Sequence, residues 1–215
     1  MLVHGAIVPP RAALEAVDAV VRSIRVPVER APEPAAPRGI RARFGRHRAD
    51  VEPDAEPPPA MLEHVPLTEM RLPITAFGNL TTHDVHRLTE ELRLAAGSWR
   101  QQSVCFAGGT ALDFPGDWSV WAKVEGDLDA LSAMARSVPQ AVERLGFFVD
   151  RRKFRPMLSV ATVTTATTGP FLQEVVDALD AFRGEEWPVE LSLLKETFVG
   201  SRPEMVEFER IVPVE

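Results

Sequence analysis

Eight prolines fall within residues 26–60, and this stretch constrains the fold more than any other feature of the chain. Proline lacks the backbone N–H that helix and sheet interiors require, so we expect no regular element here. We predict a long insertion that is the least ordered part of the chain and is dispensable for folding. The residues before it are too few to form a core alone. We therefore expect one domain spanning residues 1–215, interrupted by this insertion.

Strands and helices are predicted to alternate on both sides of the insertion. The hydrophobic spacing predicts strands at 2–8, 70–77, 103–107, 118–124, 157–165, 189–195 and 205–212, and helices at 10–25, 81–96, 127–145 and 170–182. A strand–helix–strand–strand order therefore occurs twice. This order favours an α+β fold in which two pseudo-symmetric lobes of antiparallel strands, with flanking helices, surround a central cleft.

The charge of the chain is unevenly distributed. The formal net charge of −7 argues against a protein whose whole surface coats nucleic acid, although residues 22–48 carry eight arginines against two glutamates. The part of this segment at 38–48 either binds single-stranded RNA or is a disordered basic loop held loosely against acidic faces. Phe44 is its one aromatic residue, so we favour the second interpretation.

Several residue types argue against other classes of protein. No apolar run approaches the roughly 20 residues of a membrane span, and a single cysteine favours a reducing compartment, so we expect a cytoplasmic protein with no membrane contact. Cys105 lies in an apolar strand and is interpreted as a small buried residue. His83 and His86 are three residues apart on one predicted helix and lack a third ligand. We predict no metal site and no cofactor.

Four segments, in order, resemble the 2H phosphoesterase family, which includes 2′-5′ RNA ligases and cyclic phosphodiesterases. Residues 2–9 resemble the opening strand and its closing proline, and residues 189–212 resemble the terminal hairpin. Between them, Arg-Leu-Pro-Ile-Thr-Ala-Phe-Gly at 71–78 resembles the first His-x-Thr motif. Phe-Arg-Pro-Met-Leu-Ser-Val-Ala at 154–161 resembles the second, Phe-x-Pro-His-x-Thr.

The chain departs from the family at the positions that carry catalysis. The resemblance implies two histidines as general acid and base on a phosphodiester, with two hydroxyls that hold its oxygens. Arg71 and Pro73 stand at the first pair of positions, and Met157 and Ser159 at the second. Arginine does not give up its proton near neutral pH, and a thioether has none. Each acid or base typically contributes about 10²–10⁴ in rate, so we predict no catalytic residues and no family activity.

Strand alternation places Arg71, Pro73 and Thr75 on one face, and Arg155, Met157 and Ser159 on another. The resemblance implies that both are cleft faces, with residues 71 and 157 directed into one concavity from facing central strands. Because proline lacks a donor, we expect Pro73 at a bulge or a gap in the pairing. The predicted ligand-binding residues are Arg71, Thr75, Arg155, Met157 and Ser159.

Simpler structural interpretations stand beside these site assignments. Arg71 either clamps a phosphate or extends from a partly buried strand toward solvent. Met157 serves first to fill the cleft floor. With Lys153, Arg151 and Arg152 would form an anion-binding rim, but we favour a solvated turn for the two arginines.

Three functions remain open. The first is a protein that binds a nucleotide, cyclic phosphate or RNA end without catalysis. The second is a scaffold whose insertion at 26–60 docks a protein or another macromolecule. The third, which we favour least, is an enzyme that uses aspartate or glutamate in the same cleft. A phosphate held between Arg71 and Ser159 would support the first, and a sealed apolar cleft the second.

Overall fold

The structure is a computed structural model that describes residues 1–24, 60–150, 153–200 and 202–213. Apart from Ala60, the predicted insertion at 26–60 falls outside the described residues. The strands are β1 (Leu2–Ile7), β2 (Leu62–His64), β3 (Leu72–Asn79), β4 (Ser103–Ala111), β5 (Ser119–Gly126), β6 (Met157–Val163), β7 (Trp187–Pro188), β8 (Leu191–Val199) and β9 (Arg202–Ile211). The helices are α1 (Arg11–Ser23), α2 (Thr82–Ala96), α3 (Leu128–Val142) and α4 (Gly169–Asp180).

Every predicted helix and strand is present, because each carries its own local signals. Thr81 caps α2 by accepting a hydrogen bond from the Asp84 amide at 3.2 Å, and Asp127 caps α3 in the same way. Strands β2 and β7 were not predicted from the sequence. They are three and two residues long, which is too short to show alternation.

The strands form two antiparallel sheets. The first sheet has the order β3-β1-β8-β9 and the second has the order β2-β6-β5-β4-β7. These are the two lobes of an α+β fold around a central cleft, as predicted. The lobes do not follow the two halves of the sequence, however, because β1 pairs with β3 on one side and with β8, from the C-terminal part of the chain, on the other.

Each sheet has one face covered by helices. Helices α2 and α3 pack on the first sheet, and α1 and α4 pack on the second. Gly109 allows α4 to lie close to β4, since a Cβ at this position would come within 2.5 Å of the Leu179 Cβ. We call the face of each sheet that carries no helix its open face. The two open faces border the cleft.

Among the described helices, none combines the length and apolar character needed to cross a membrane.

Candidate functional site

Arg71 lies immediately before β3, on the wall of a cavity of about 840 Å³. The cavity lies between the open face of the first sheet, the start of α1 and the connection from β2 to β3. It is lined by Val8, Pro9, Pro10, Arg11, Leu14, Pro66, Leu67, Thr68, Met70, Arg71, Glu190, Leu194, Met205, Glu207 and Arg210. Its size falls in the range of about 300–1,000 Å³ that small-molecule sites occupy.

The Arg71 guanidinium is partly buried and donates one hydrogen bond within the described residues. Its Nη1 donates to the Glu69 carbonyl oxygen at 3.1 Å, and no carboxylate in the described part of the chain forms an ion pair with it. Burial lowers the pKa of Arg71, and the nearby Glu69 carboxylate opposes this shift. An arginine still stays protonated at neutral pH. Arg71 therefore brings to the cavity wall a positive charge that no described carboxylate pairs.

The other two arginines of the cavity are paired. Arg210 donates to Glu207 at 2.8 Å and lies 3.4 Å from a Glu190 oxygen, and Glu207 also accepts a 2.6 Å hydrogen bond from Ser192. Arg11 pairs with Glu15 at 2.7 Å on the exposed side of α1. Within the described residues, Arg71 is thus the arginine of this cavity that forms no ion pair with a carboxylate.

The expectation that Thr75 shares a face with Arg71 and Pro73 is wrong. In β1 the adjacent residues Gly5 and Ala6 point to opposite faces, and they pair with Thr75 and Pro73, respectively. Ile74 is the extra residue of a bulge, which sends the following side chains to the other face. Thr75 is buried, and its hydroxyl donates to the Asp150 carbonyl oxygen at 2.8 Å.

The same bulge confirms the prediction for Pro73, which lies at an irregularity in the pairing. Pro73 is also in an edge strand, where a missing donor costs least. The prediction that residues 71 and 157 lie on central strands is wrong for Arg71. It precedes β3, which is at the edge of the first sheet because β1 takes the interior position. Met157 begins an interior strand, but it does not line the Arg71 cavity.

Met157 and Ser159 share the open face of the second sheet, as predicted. Met157 pairs with Lys123, and Ser159 pairs with Trp121. A register shift beyond Ser159 then turns Ala161 to the covered face, where it pairs with the buried Val120. The open face of β6 therefore carries a thioether and a hydroxyl where the family resemblance implies histidine and threonine.

Arg155 precedes β6 and stacks on an aromatic ring. Its Cζ lies 4.0 Å from the centroid of the Phe114 ring, and that ring lies 6.3 Å from the Trp121 ring. Trp121 neighbours Ser159 on the open face. The structure thus groups Arg155 with Ser159 and Met157 on the second sheet, and it leaves Arg71 on the first.

Asp117 holds the loop that carries Phe114. Its carboxylate accepts hydrogen bonds from the Trp121 Nε1 at 2.7 Å, the Ser119 amide at 2.9 Å and the Asp113 amide at 3.1 Å. Burial acts to raise the pKa of Asp117, but these hydrogen bonds hold it below its usual value. These hydrogen bonds join the loop that carries Phe114 to strand β5.

Sequence reasoning missed three residues that border the cleft: His4, Phe114 and Trp121. His4 pairs with Ala76 and Leu194 and points away from the covered face that holds Val3 and Ile7. The alternation in β1 contains this signal for His4. No sequence signal identifies Phe114, because its position depends on the fold of the loop around Asp117.

The remaining candidates lie elsewhere. His64 faces α1, with its Nδ1 3.6 Å from an Asp18 oxygen, and Cys105 is buried as predicted. His83 and His86 lie on α2, and the described residues contain no group of three side chains able to hold a metal ion. Lys153 is exposed, and Arg151 and Arg152 fall outside the described residues.

No protein-family model and no curated protein sequence matches the chain. Solved structures do. The TT0787 protein of Thermus thermophilus is 16% identical, with 99% of this chain and 98% of that chain covered and a TM-score of 0.60. Escherichia coli LigT complexed with 3′-AMP is 15% identical, with 100% and 98% covered and a TM-score of 0.62. LigT complexed with NADP⁺ is 14% identical, with the same coverage and a TM-score of 0.60. The fold is shared over the whole chain.

Proposed function

We propose that this chain, which has the fold of LigT, is a 2H phosphoesterase-like protein that binds a nucleotide, cyclic phosphate or RNA end in its central cleft without catalysing the family reaction. The observation that carries the proposal is the Arg71 guanidinium, partly buried on the cavity wall and not paired with any carboxylate of the described residues. Guanidinium groups bind phosphate through two parallel hydrogen bonds.

The surroundings of Arg71 favour an anionic ligand over bulk water. Leu67, Met70 and Leu194 are among the apolar side chains that line the cavity, and a charge pair is stronger where apolar groups lower the local dielectric. The structures of LigT with 3′-AMP and with NADP⁺ hold ligands that contain phosphate. They support a phosphate ester as the ligand of this chain.

Arg155 and Ser159 are proposed as the contribution of the second sheet. Ser159 offers a hydroxyl on the open face, and Arg155 is exposed beside it without an ion-pair partner among the described residues. Met157 lies on the same face as Ser159 and is proposed to fill the cleft floor. Thr75 has no part in this proposal, because its hydroxyl is bonded to the backbone of Asp150.

The absence of family catalysis follows from the groups that border the cleft. A mechanism with one imidazole on each sheet needs a histidine on the open face of the second sheet. Among the described residues that face carries no histidine: Met157, Ser159, Trp121 and Lys123 are among the side chains on it, and His64 faces α1 instead. His4 lies on the first sheet, so the described residues supply only one half of the acid–base pair.

Ligand binding is tested by thermal shift with 3′-AMP and 2′,3′-cyclic AMP. A ligand at 100 times its Kd adds about 2.7 kcal/mol of stability. Arg71→Gln is expected to abolish the shift, whereas Arg11→Gln, in the same cavity but paired with Glu15, is expected to retain it. Shifts that are equal in wild type and Arg71→Gln would contradict the proposed site.

Catalysis is tested on the same protein. We expect no hydrolysis of 2′,3′-cyclic AMP and no 2′-5′ ligation above buffer. Turnover that disappears in Ser159→Ala or Arg71→Ala would refute the absence of catalysis. If no phosphate ester binds, the partner-binding function of the insertion at 26–60 becomes the better explanation.

A further inference from the structure

We infer that the protein has a second ligand site, on the covered face of the first sheet, for a small carboxylic acid with an apolar body. The site is a cavity of about 440 Å³ between helix α3, strand β3 and the segment that precedes β6. This volume falls within the range of about 300–1,000 Å³ for small-molecule sites. The cavity shares no lining residue with the Arg71 cavity, so the inference stands independently of the proposed function.

The position of the cavity separates it from the cleft. Helix α3 packs on the face of the first sheet that lies opposite the open face. Ile74 of β3 lines this cavity together with α3 residues, whereas Arg71, just before the same strand, lines the cavity on the open side. A ligand bound against α3 therefore does not compete for the space of a phosphate ester in the cleft.

The floor of this cavity is apolar. Ile74 is 4% exposed, Ala135 is buried, and Phe154 packs against the hydrophobic core. Pro139 adds its ring from the next turn of α3. An apolar ligand body placed here leaves water for side chains that the core already holds, which is favourable.

The rim of the cavity is polar and positively charged. Ser132, Arg136 and Gln140 follow one another at intervals of four residues and so lie on one face of α3. Lys153 lines the cavity from the segment before β6. Arg136 and Lys153 are both exposed, and neither forms an ion pair with a carboxylate of the described ranges. Two cations, a hydroxyl and an amide thus offer hydrogen-bond donors to an anion.

Glu143 limits the charge of that anion. Its carboxylate also lines the cavity, seven residues after Arg136 in the chain. Seven residues of helix correspond to about 10 Å along the axis, so we place the ligand carboxylate at the Arg136 end. The higher charge of a phosphate monoester is repelled more strongly by Glu143 than the single charge of a carboxylate. The cavity therefore favours a monocarboxylic acid.

The test measures binding of 3-phenylpropionate to the full chain by isothermal titration calorimetry. Wild type is expected to bind it at least about tenfold more tightly than acetate, which has no phenyl group to bury. Arg136→Gln is expected to weaken binding about two- to fivefold, the range of an exposed ion pair, and adding Lys153→Gln is expected to weaken it further. Binding of 3-phenylpropanol, which has no charge, should be unchanged in both variants.

Two control variants make the result specific to this cavity. Arg144→Gln makes the same chemical change at an exposed arginine that does not line the cavity, and it is expected to retain full affinity. Arg71→Gln is also expected to retain it, because Arg71 belongs to the other cavity. Thermal melting of each variant without ligand reports whether the fold is retained.

The site is also located without any variant. In ¹⁵N-labelled wild type, 3-phenylpropionate is expected to shift the amide signals of Ile74, Ser132 and Phe154. The amide signals of Leu67 and Leu194, which line the Arg71 cavity, should not move.

The remaining outcomes overturn the inference in separate ways. Affinity that falls in Arg71→Gln but not in the Arg136→Gln/Lys153→Gln variant would move the anion to the cleft and refute the second site. An equal loss in Arg144→Gln would reduce the effect to net charge. If wild type does not bind 3-phenylpropionate, the second site is refuted while binding of phosphate esters in the cleft is unaffected. If phosphate esters alone fail to bind, the proposed function fails and the second site stands.

Discussion

The bulge at Ile74 predicts that Thr75 stabilises the fold and does not contact the ligand. The Thr75 hydroxyl donates to the Asp150 carbonyl oxygen at 2.8 Å, and the Asp150 amide donates to the Ala76 carbonyl oxygen at 3.0 Å. Together these bonds attach the segment before β6 to the edge of β3. Thr75→Val removes the first bond while nearly preserving side-chain volume.

The expected loss follows from one hydrogen bond. A buried hydrogen bond contributes about 0.5–1.5 kcal/mol net, so Thr75→Val should lower the free energy of unfolding by about 1 kcal/mol. For a chain of this size that corresponds to about 2–4 °C in Tm. Urea denaturation followed by circular dichroism measures the change. Thr75→Ser, which keeps the hydroxyl, is expected to recover part of the loss.

The control is Thr165→Val, which makes the same chemical change at an exposed turn position and is expected to leave stability unchanged. Affinity for AMP should be unaffected in every Thr75 variant that folds. If Thr75→Val retained full stability but bound AMP as weakly as Arg71→Gln, the side chain would have to reach the cleft, and the assignment of the bulge would be wrong.

Three further predictions concern packing, pH and the insertion. Gly109→Ala forces a Cβ against α4 and should cost about 1–3 kcal/mol, whereas Gly169→Ala, which meets nothing within 4 Å, should not; denaturant midpoints compare the two. Burial, followed by the charge of Arg22, lowers the pKa of His64, so the unfolded chain binds the proton more readily. Stability should therefore fall as the pH drops below the usual His value of about 6.5, and His64→Gln should flatten the pH dependence measured by urea denaturation. Replacing residues 27–58 by a shorter Gly–Ser linker should leave soluble protein with an unchanged circular dichroism spectrum, and loss of soluble expression would contradict the prediction that the insertion is dispensable.

Local signals in the sequence were sufficient for every element of the fold except the short strands β2 and β7. The stripe that ends at Ala96 and the cap at Thr81 define α2, and alternation defines most of the strands. The prediction that residues 71 and 157 cannot act as acid and base also came directly from the sequence. A guanidinium or a thioether does not exchange a proton near neutral pH, whichever way the side chain points. These properties depend on residues close together in the chain.

The tertiary structure decided which of those residues share a surface. Strand alternation alone places Thr75 beside Arg71, but the register between β3 and β1 inserts Ile74 as a bulge and turns Thr75 to the covered face. The stack of Arg155 on Phe114 joins residues far apart in sequence. The register and the stack both depend on contacts with a distant strand or loop. Periodicity within one segment carries no information about such a partner, so only the folded chain determines them.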